Sequence, residues 1–148
     1  MKTNKWVSVA RYVQGAAFFI FGLNGFLHFL PQPAPPEAAQ ALMGGFAASG
    51  YMFPLIKGTE VVTGALLLLG RFVPLSLVLI APVIVNIVLY HLFLAPTGLA
   101  VPLLLLATEL YLAWSYRHLF APLLQPLVQP RDGRTEDVTS RDAASAAV

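Results

Sequence analysis

The side chains able to do chemistry are few, and each is set in apolar sequence: Asn24 and His28, Lys57 and Glu60, Asn86 and His91, and Glu109. Between them they supply two carboxyls, one amine, two imidazoles and two amides. That set can hold or pass protons and hydrogen-bond a polar head group. Lys57 can neutralise one of Glu60 and Glu109 but not both. The second carboxyl must then be protonated, or paired with a protonated His28 or His91, because a lone charge is costly in an apolar setting. Proton-linked chemistry with coupled titrations is the expectation. Glu60 and Glu109 are read as its catalytic groups, and Asn24, His28, Lys57, Asn86 and His91 as binding groups.

Spacing argues that some of these groups converge. Asn24 and His28 are four residues apart, and Lys57 and Glu60 three apart, so each pair shares a helix face. The Lys57–Glu60 face continues through Thr63 and Gly64, small enough for a neighbouring helix to approach closely. Asn86 aligns with Tyr90, whereas His91 lies about 140° from Asn86, so both are not expected to point to one centre. Plain structural readings stand beside these. Lys57–Glu60 can serve as an ion pair that fixes helix register, the asparagines as bonds between helices, and the histidines as snorkelling side chains. Glu109 has little structural use of that kind. A haem or metal held by His28 and His91 lacks a supporting spacing, and no metal is expected.

Composition says what surrounds these groups. Of 148 residues, 57% are hydrophobic and 11% charged, against about 25% charged in soluble proteins. One membrane domain accounts for that balance. The chain contains no cysteine, which excludes disulfide exchange, thiolate zinc sites and iron–sulfur ligation. A net charge of +2, with the basic residues near the ends, gives nucleic-acid binding no support.

The positioning elements are four apolar stretches, predicted as helical spans at 12–30, 53–69, 74–94 and 99–119. The first stops at Pro31-Gln32-Pro33-Ala34-Pro35-Pro36, the second at Gly70-Arg71 and the third at Ala95-Pro96-Thr97-Gly98. Pro74 fits a first helical turn, and Pro82 should bend the third span. The apolar run of the first stretch is too long for a signal peptide, and no cleavage motif follows it. The expected fold is all-α: a transmembrane four-helix bundle over residues 1–121, with a short interfacial helix, 37–48, in the outer loop. Leu42, Met43 and Phe46 form that helix's apolar face, with Gly44-Gly45 a weak point. Residues 122–148 are polar and expected to be a disordered cytoplasmic tail.

Lys2, Lys5 and Arg11 precede the first span, Arg71 separates the second and third, and Arg117, Arg131, Arg134 and Arg141 follow the fourth. Both termini are therefore expected in the cytoplasm. Counted from the outer helix ends at 1.5 Å per residue, all the polar groups named above fall in the outer half, Glu109 deepest at about 15 Å. The inner half holds little that is polar beyond Ser76, Thr63 and Tyr116. The expectation is one polar pocket opening to the extracytoplasmic side.

The runs Phe21-Gly22-Leu23-Asn24-Gly25-Phe26-Leu27-His28-Phe29 and Lys57-Gly58-Thr59-Glu60-Val61-Val62-Thr63-Gly64-Ala65-Leu66-Leu67-Leu68-Leu69-Gly70 resemble the DoxX family of small four-helix membrane proteins. Asn86-Ile87-Val88-Leu89-Tyr90-His91 and Glu109 are similar to its DoxX-like branch, and the likeness spans about Arg11 to Leu124. The resemblance implies an inner-membrane protein associated with quinone-linked redox complexes. It transfers location and fold better than reaction, and brings no ligand set.

Three functions follow as expectations. The first is a subunit or accessory of a quinone-linked redox system, with a quinone or quinol in the pocket and electrons leaving through a partner protein. The second is a small proton-coupled transporter, disfavoured by the apolar inner half. The third is a structural or assembly subunit. Lipid is the expected surrounding, with a membrane redox protein or a second copy of the chain as partner.

Overall fold

The computed structural model describes residues 4–31, 33–124 and 126, and among these it is helical without a strand. The elements are α1 (Lys5–Leu27), α2 (Glu37–Ser49), α3 (Met52–Leu69), α4 (Val73–Phe93), α5 (Ala100–Ser115) and α6 (Arg117–Phe120). A 3-10 turn, Pro96–Gly98, joins α4 to α5, and another, Ala121–Leu124, follows α6. Most of the expected tail lies outside the described residues.

Local chemistry sets the helix ends. Asn4 Oδ1 accepts the Trp6 amide at 3.1 Å and starts α1. His28 ends that helix in the left-handed conformation, φ 52°, earlier than the predicted 30. Gly70 closes α3 the same way at φ 67°, its amide returning to the carbonyls of Leu66 and Leu67. α4 takes Pro74 into its first turn and runs on through Pro82 as one helix. α2 extends one residue past its predicted end, without a break at Gly44-Gly45, and half-buries Leu42, Met43 and Phe46 as expected.

Two spans differ from expectation. α1 starts at Lys5, not 12, so Arg11 lies inside the helix. Its guanidinium donates to the carbonyls of Leu67 and, at 3.2 Å, Leu68. Both are last-turn acceptors at the negative end of the α3 dipole, Leu67 sharing its carbonyl with the Gly70 amide, so the cation is compensated where it stands. The predicted fourth span, 99–119, is divided: α5 has 16 residues, and α6 begins after Tyr116.

The four longest hydrophobic helices pack around a ring, α1 on α3, α3 on α4, α4 on α5 and α5 on α1, while α2 rests on α3. The α1–α3 contact is closest because glycines line it. A Cβ on Gly64 would lie 2.5 Å from the Phe19 backbone nitrogen, and one on Gly22 would lie 2.8 Å from that of Val61. Ala10, Leu67, Val73, Leu77 and Leu112 form one buried apolar cluster, and Phe18, Ile80, Ile84 and Leu105 a second.

The outside of the ring is apolar too. Leu27, Leu69 and Phe93 are each about two-thirds exposed or more, and so broad an apolar surface is not tolerated against water. α1, α3 and α4 are long and apolar enough to cross a membrane; α5 is apolar but shorter. Among its described residues the molecule is accordingly all-helical, with the helix lengths and apolar surface of a membrane protein. At the end where α1 starts and α5 stops, cations stack on aromatic rings: Lys5 on Trp6 at 5.6 Å, Arg11 on Tyr12 at 4.4 Å and Arg117 on Trp114 at 4.8 Å.

Candidate functional site: a roofed cavity and a separate buried acid–amide pair

A cavity of about 540 Å³ lies between α1, α3, α4 and α5 at the end where α1 finishes, within the usual size range of small-molecule sites. Met43 and Phe46 of α2 contribute to its wall together with Pro33. Phe46 meets Phe53 of α3 edge-on at 6.0 Å, which holds α2 across the opening. The far end of the cavity is Phe18 and Leu105, both buried in the second apolar cluster. Most of the lining is therefore aromatic or aliphatic.

Its polar lining comes from α3 and α4. Lys57 and Glu60, one helical turn apart, form an ion pair in which Nζ donates to Oε2 at 2.8 Å and to Oε1 at 3.1 Å. Glu60 is 2% exposed and Lys57 23%. Gly25 makes room for this geometry, because any Cβ there would collide with the lysine stem. Two of the ammonium protons are used by Glu60, so one remains for a ligand. Across from them, Asn86, Tyr90 and His91 of α4 reach the cavity. His91 Nδ1 lies 2.8 Å from the Ile87 carbonyl. A carbonyl only accepts, so Nδ1 carries the proton and Nε2 of the neutral ring is an acceptor.

Lys57, Glu60, Asn86 and His91 thus line one cavity, and three of the other expectations need correction. Asn86 and His91 share that wall although 140° of helix separates their directions. The bond to Ile87 folds the imidazole back along α4, and the cavity is wide enough to meet both. Asn24 and His28 are not on the wall. Asn24, 1% exposed, accepts the Leu30 amide at 2.6 Å and donates to the Leu30 carbonyl at 3.3 Å, tying down the chain after α1. Its bonds go to the connection following its own helix rather than to a neighbouring helix. His28 is the exposed C-cap residue.

Glu109 is also elsewhere. Its carboxylate accepts from Gln14 Nε2, a residue that the reading of the sequence passed over. Gln14 is 0% exposed and Glu109 6%. Gly22 packs at the level of Glu60, and Gln14 is eight residues below it, about 12 Å along α1. Phe18 and Leu105, each one turn nearer the cavity than these two residues, stand between the pair and the cavity. The polar groups therefore form two centres, one above an apolar layer and one below it, instead of the single outer pocket expected. A polar residue flanked by Val13 and Gly15 within a long apolar helix was the available signal for Gln14.

The hydroxyls of Thr63 and Ser76 bond to carbonyls of their own helices, Thr59 at 2.6 Å and Phe72 at 3.1 Å. They add nothing to either centre. No protein-family model matches the chain, and no curated protein and no solved structure matches it.

Proposed function

We propose that the chain is a membrane-embedded four-helix bundle, α1, α3, α4 and α5 with α2 lying in the interface, whose cavity binds a quinone or quinol for a membrane redox system. The observation that carries this reading is the make-up of one cavity wall. A buried carboxylate paired with an ammonium, an amide and an imidazole acceptor border a space otherwise lined by Phe18, Phe21, Phe46, Phe53, Tyr90 and mostly aliphatic side chains. A quinone has the matching form: a flat apolar ring with carbonyl or hydroxyl oxygens at two poles. Lys57 has a proton for a carbonyl oxygen, His91 Nε2 can accept from a hydroxyl, and Asn86 can do either.

Oxidation of a quinol releases two electrons and two protons. The Glu60 carboxylate takes one proton, leaving the ammonium of Lys57 beside a neutral acid, and His91 takes the other. The two electrons pass to a redox partner in the membrane, so the chain is a subunit or accessory and not a complete oxidoreductase. The resemblance of the Phe21–Phe29 and Lys57–Gly70 runs, with Asn86–His91 and Glu109, to DoxX proteins points the same way. The stacked cations at the α1-start, α5-stop end favour that end as cytoplasmic, with the cavity facing the opposite leaflet of an inner membrane.

Equilibrium binding of a short-chain ubiquinone to the purified protein in mild detergent tests this reading. Saturable binding, weakened at least tenfold by Glu60→Gln or Lys57→Met, is expected. Binding that is absent, or indifferent to both substitutions, refutes it.

A further inference from the structure

The acid–amide pair below the cavity has one unexplained atom. Gln14 Nε2 donates to Glu109, but Gln14 Oε1 is buried without a partner, alone in this among the side-chain atoms of the described residues. An orphaned buried acceptor is destabilising and calls for an explanation. Glu109 poses a complementary difficulty, since it is buried without a cation. We propose that Gln14 and Glu109 form an intramembrane proton-binding site, in which Glu109 is a neutral carboxylic acid that donates its O–H to Gln14 Oε1.

A single proton resolves both difficulties. The acid hydroxyl gives the orphaned oxygen its donor, while Gln14 Nε2 continues to donate to the other carboxyl oxygen. The result is a cyclic acid–amide pair with two antiparallel hydrogen bonds. It also removes an uncompensated charge from between two apolar clusters. A carboxylate would leave Oε1 facing either empty space or repulsion.

The charged and titratable neighbours leave this arrangement intact. On α1 the nearest is Arg11, one turn inward, and its guanidinium is committed to the carbonyls of Leu67 and Leu68. α3 has Lys57 and Glu60 beyond the Phe18–Leu105 layer, paired with each other. The titratable groups of α4, Tyr90 and His91, are at its outer end, and α5 adds only the partly exposed Tyr111. Arg117 and His118 of α6 follow the inner end of α5, and Arg117 donates to the Trp114 carbonyl. None of them forms an ion pair with Glu109.

This site does not depend on what the cavity binds. It gives the protein an exchangeable proton about 12 Å from Glu60, behind an apolar layer. Infrared difference spectroscopy of the protein in lipid tests it through the C=O stretch that distinguishes a protonated carboxyl from a carboxylate. At neutral pH a protonated-carboxyl band is expected that shifts on deuteration, disappears in Glu109→Gln and survives in Glu60→Gln. Gln14→Leu should move the band to higher frequency, as the acid loses its acceptor, and this readout remains if Glu109→Gln fails to fold. Absence of the band in the unmodified protein overturns the proposal. So does a band lost only with Glu60, or a band in Gln14→Leu that keeps its position.

Discussion

Replacing Gly64 by alanine isolates the force that holds α1 against α3. The added methyl carbon would lie 2.5 Å from the Phe19 nitrogen and 2.9 Å from both the Phe19 Cα and the Gly15 carbonyl oxygen. All three are backbone atoms, so no side chain can rotate aside. Reaching ordinary contact near 3.4 Å requires the two helices to part by about 1 Å at this level. Overpacking of that order costs about 1–3 kcal/mol. Alanine in a helix returns about 0.4–1 kcal/mol through lower backbone entropy, leaving a net loss of roughly 1–2 kcal/mol. Parting the helices also strains the Arg11 bonds to Leu67 and Leu68 one turn away, which pushes the loss toward the upper value. Gly58 is the internal control. It lies on the same helix with nothing within 4 Å of its Cβ position, so Gly58→Ala should be neutral or stabilising by up to about 1 kcal/mol. Reversible unfolding in mixed dodecylmaltoside–SDS micelles, followed by far-ultraviolet circular dichroism, measures both. If Gly64→Ala unfolds at the same SDS fraction as the unmodified protein, or if Gly58→Ala is the worse of the two, the account of this seam is wrong.

Lys57→Met should destabilise the fold toward the lower end of the roughly 3–5 kcal/mol seen when one partner of a buried pair is removed, since Lys57 keeps some exposure. Adding Glu60→Leu to it should recover most of the loss; the same SDS titration, run as a double-mutant cycle, reads the coupling. Arg11→Leu leaves two carbonyls at the end of α3 without their cation, and a loss of about 1.5–3 kcal/mol is expected, with faster amide exchange at Gly70 and Arg71. Phe72 is held at φ 51° while 67% exposed. Phe72→Gly should therefore stabilise the fold by up to about 1 kcal/mol through relief of the left-handed strain, seen as a higher SDS fraction at the unfolding midpoint.

How much of this was legible in the sequence depended on where each residue finds its partner. α3 and α4 were read to within one residue at each end, because Gly70, Pro74 and the Pro96–Gly98 turn act on their immediate neighbours. Lys57–Glu60 was readable because both partners sit on one helix, three residues apart. Sequence alone places Arg11 before the first span because its compensation comes from carbonyls 56 and 57 residues away. Gln14 was overlooked, and Glu109 misplaced, for a related reason: their bond spans 95 residues. Counting depth from helix ends assumes that all helices start in one plane, and α5 does not. With Gln14 opposite Glu109, the first residue of α5 faces α1 near Leu23, about 6 Å below that helix's end. His91 joined the cavity through a rotamer fixed by its own helix, which angular position along a helix does not reveal.

The brevity of α5 has a consequence for the lipid. Sixteen residues rise about 24 Å, against about 30 Å of hydrocarbon. In the proposed four-helix arrangement, α5, placed across a bilayer beside three longer neighbours, would leave a flank of the molecule too short for the acyl chains beside it. Hydrophobic mismatch of this size is met by a local dimple in the leaflet, with Arg117 extending toward the head groups. Such a dimple would draw water and phosphates closest to the midplane on the side of the protein that carries Glu109. A thin membrane should suit this chain better than a sterol-thickened one.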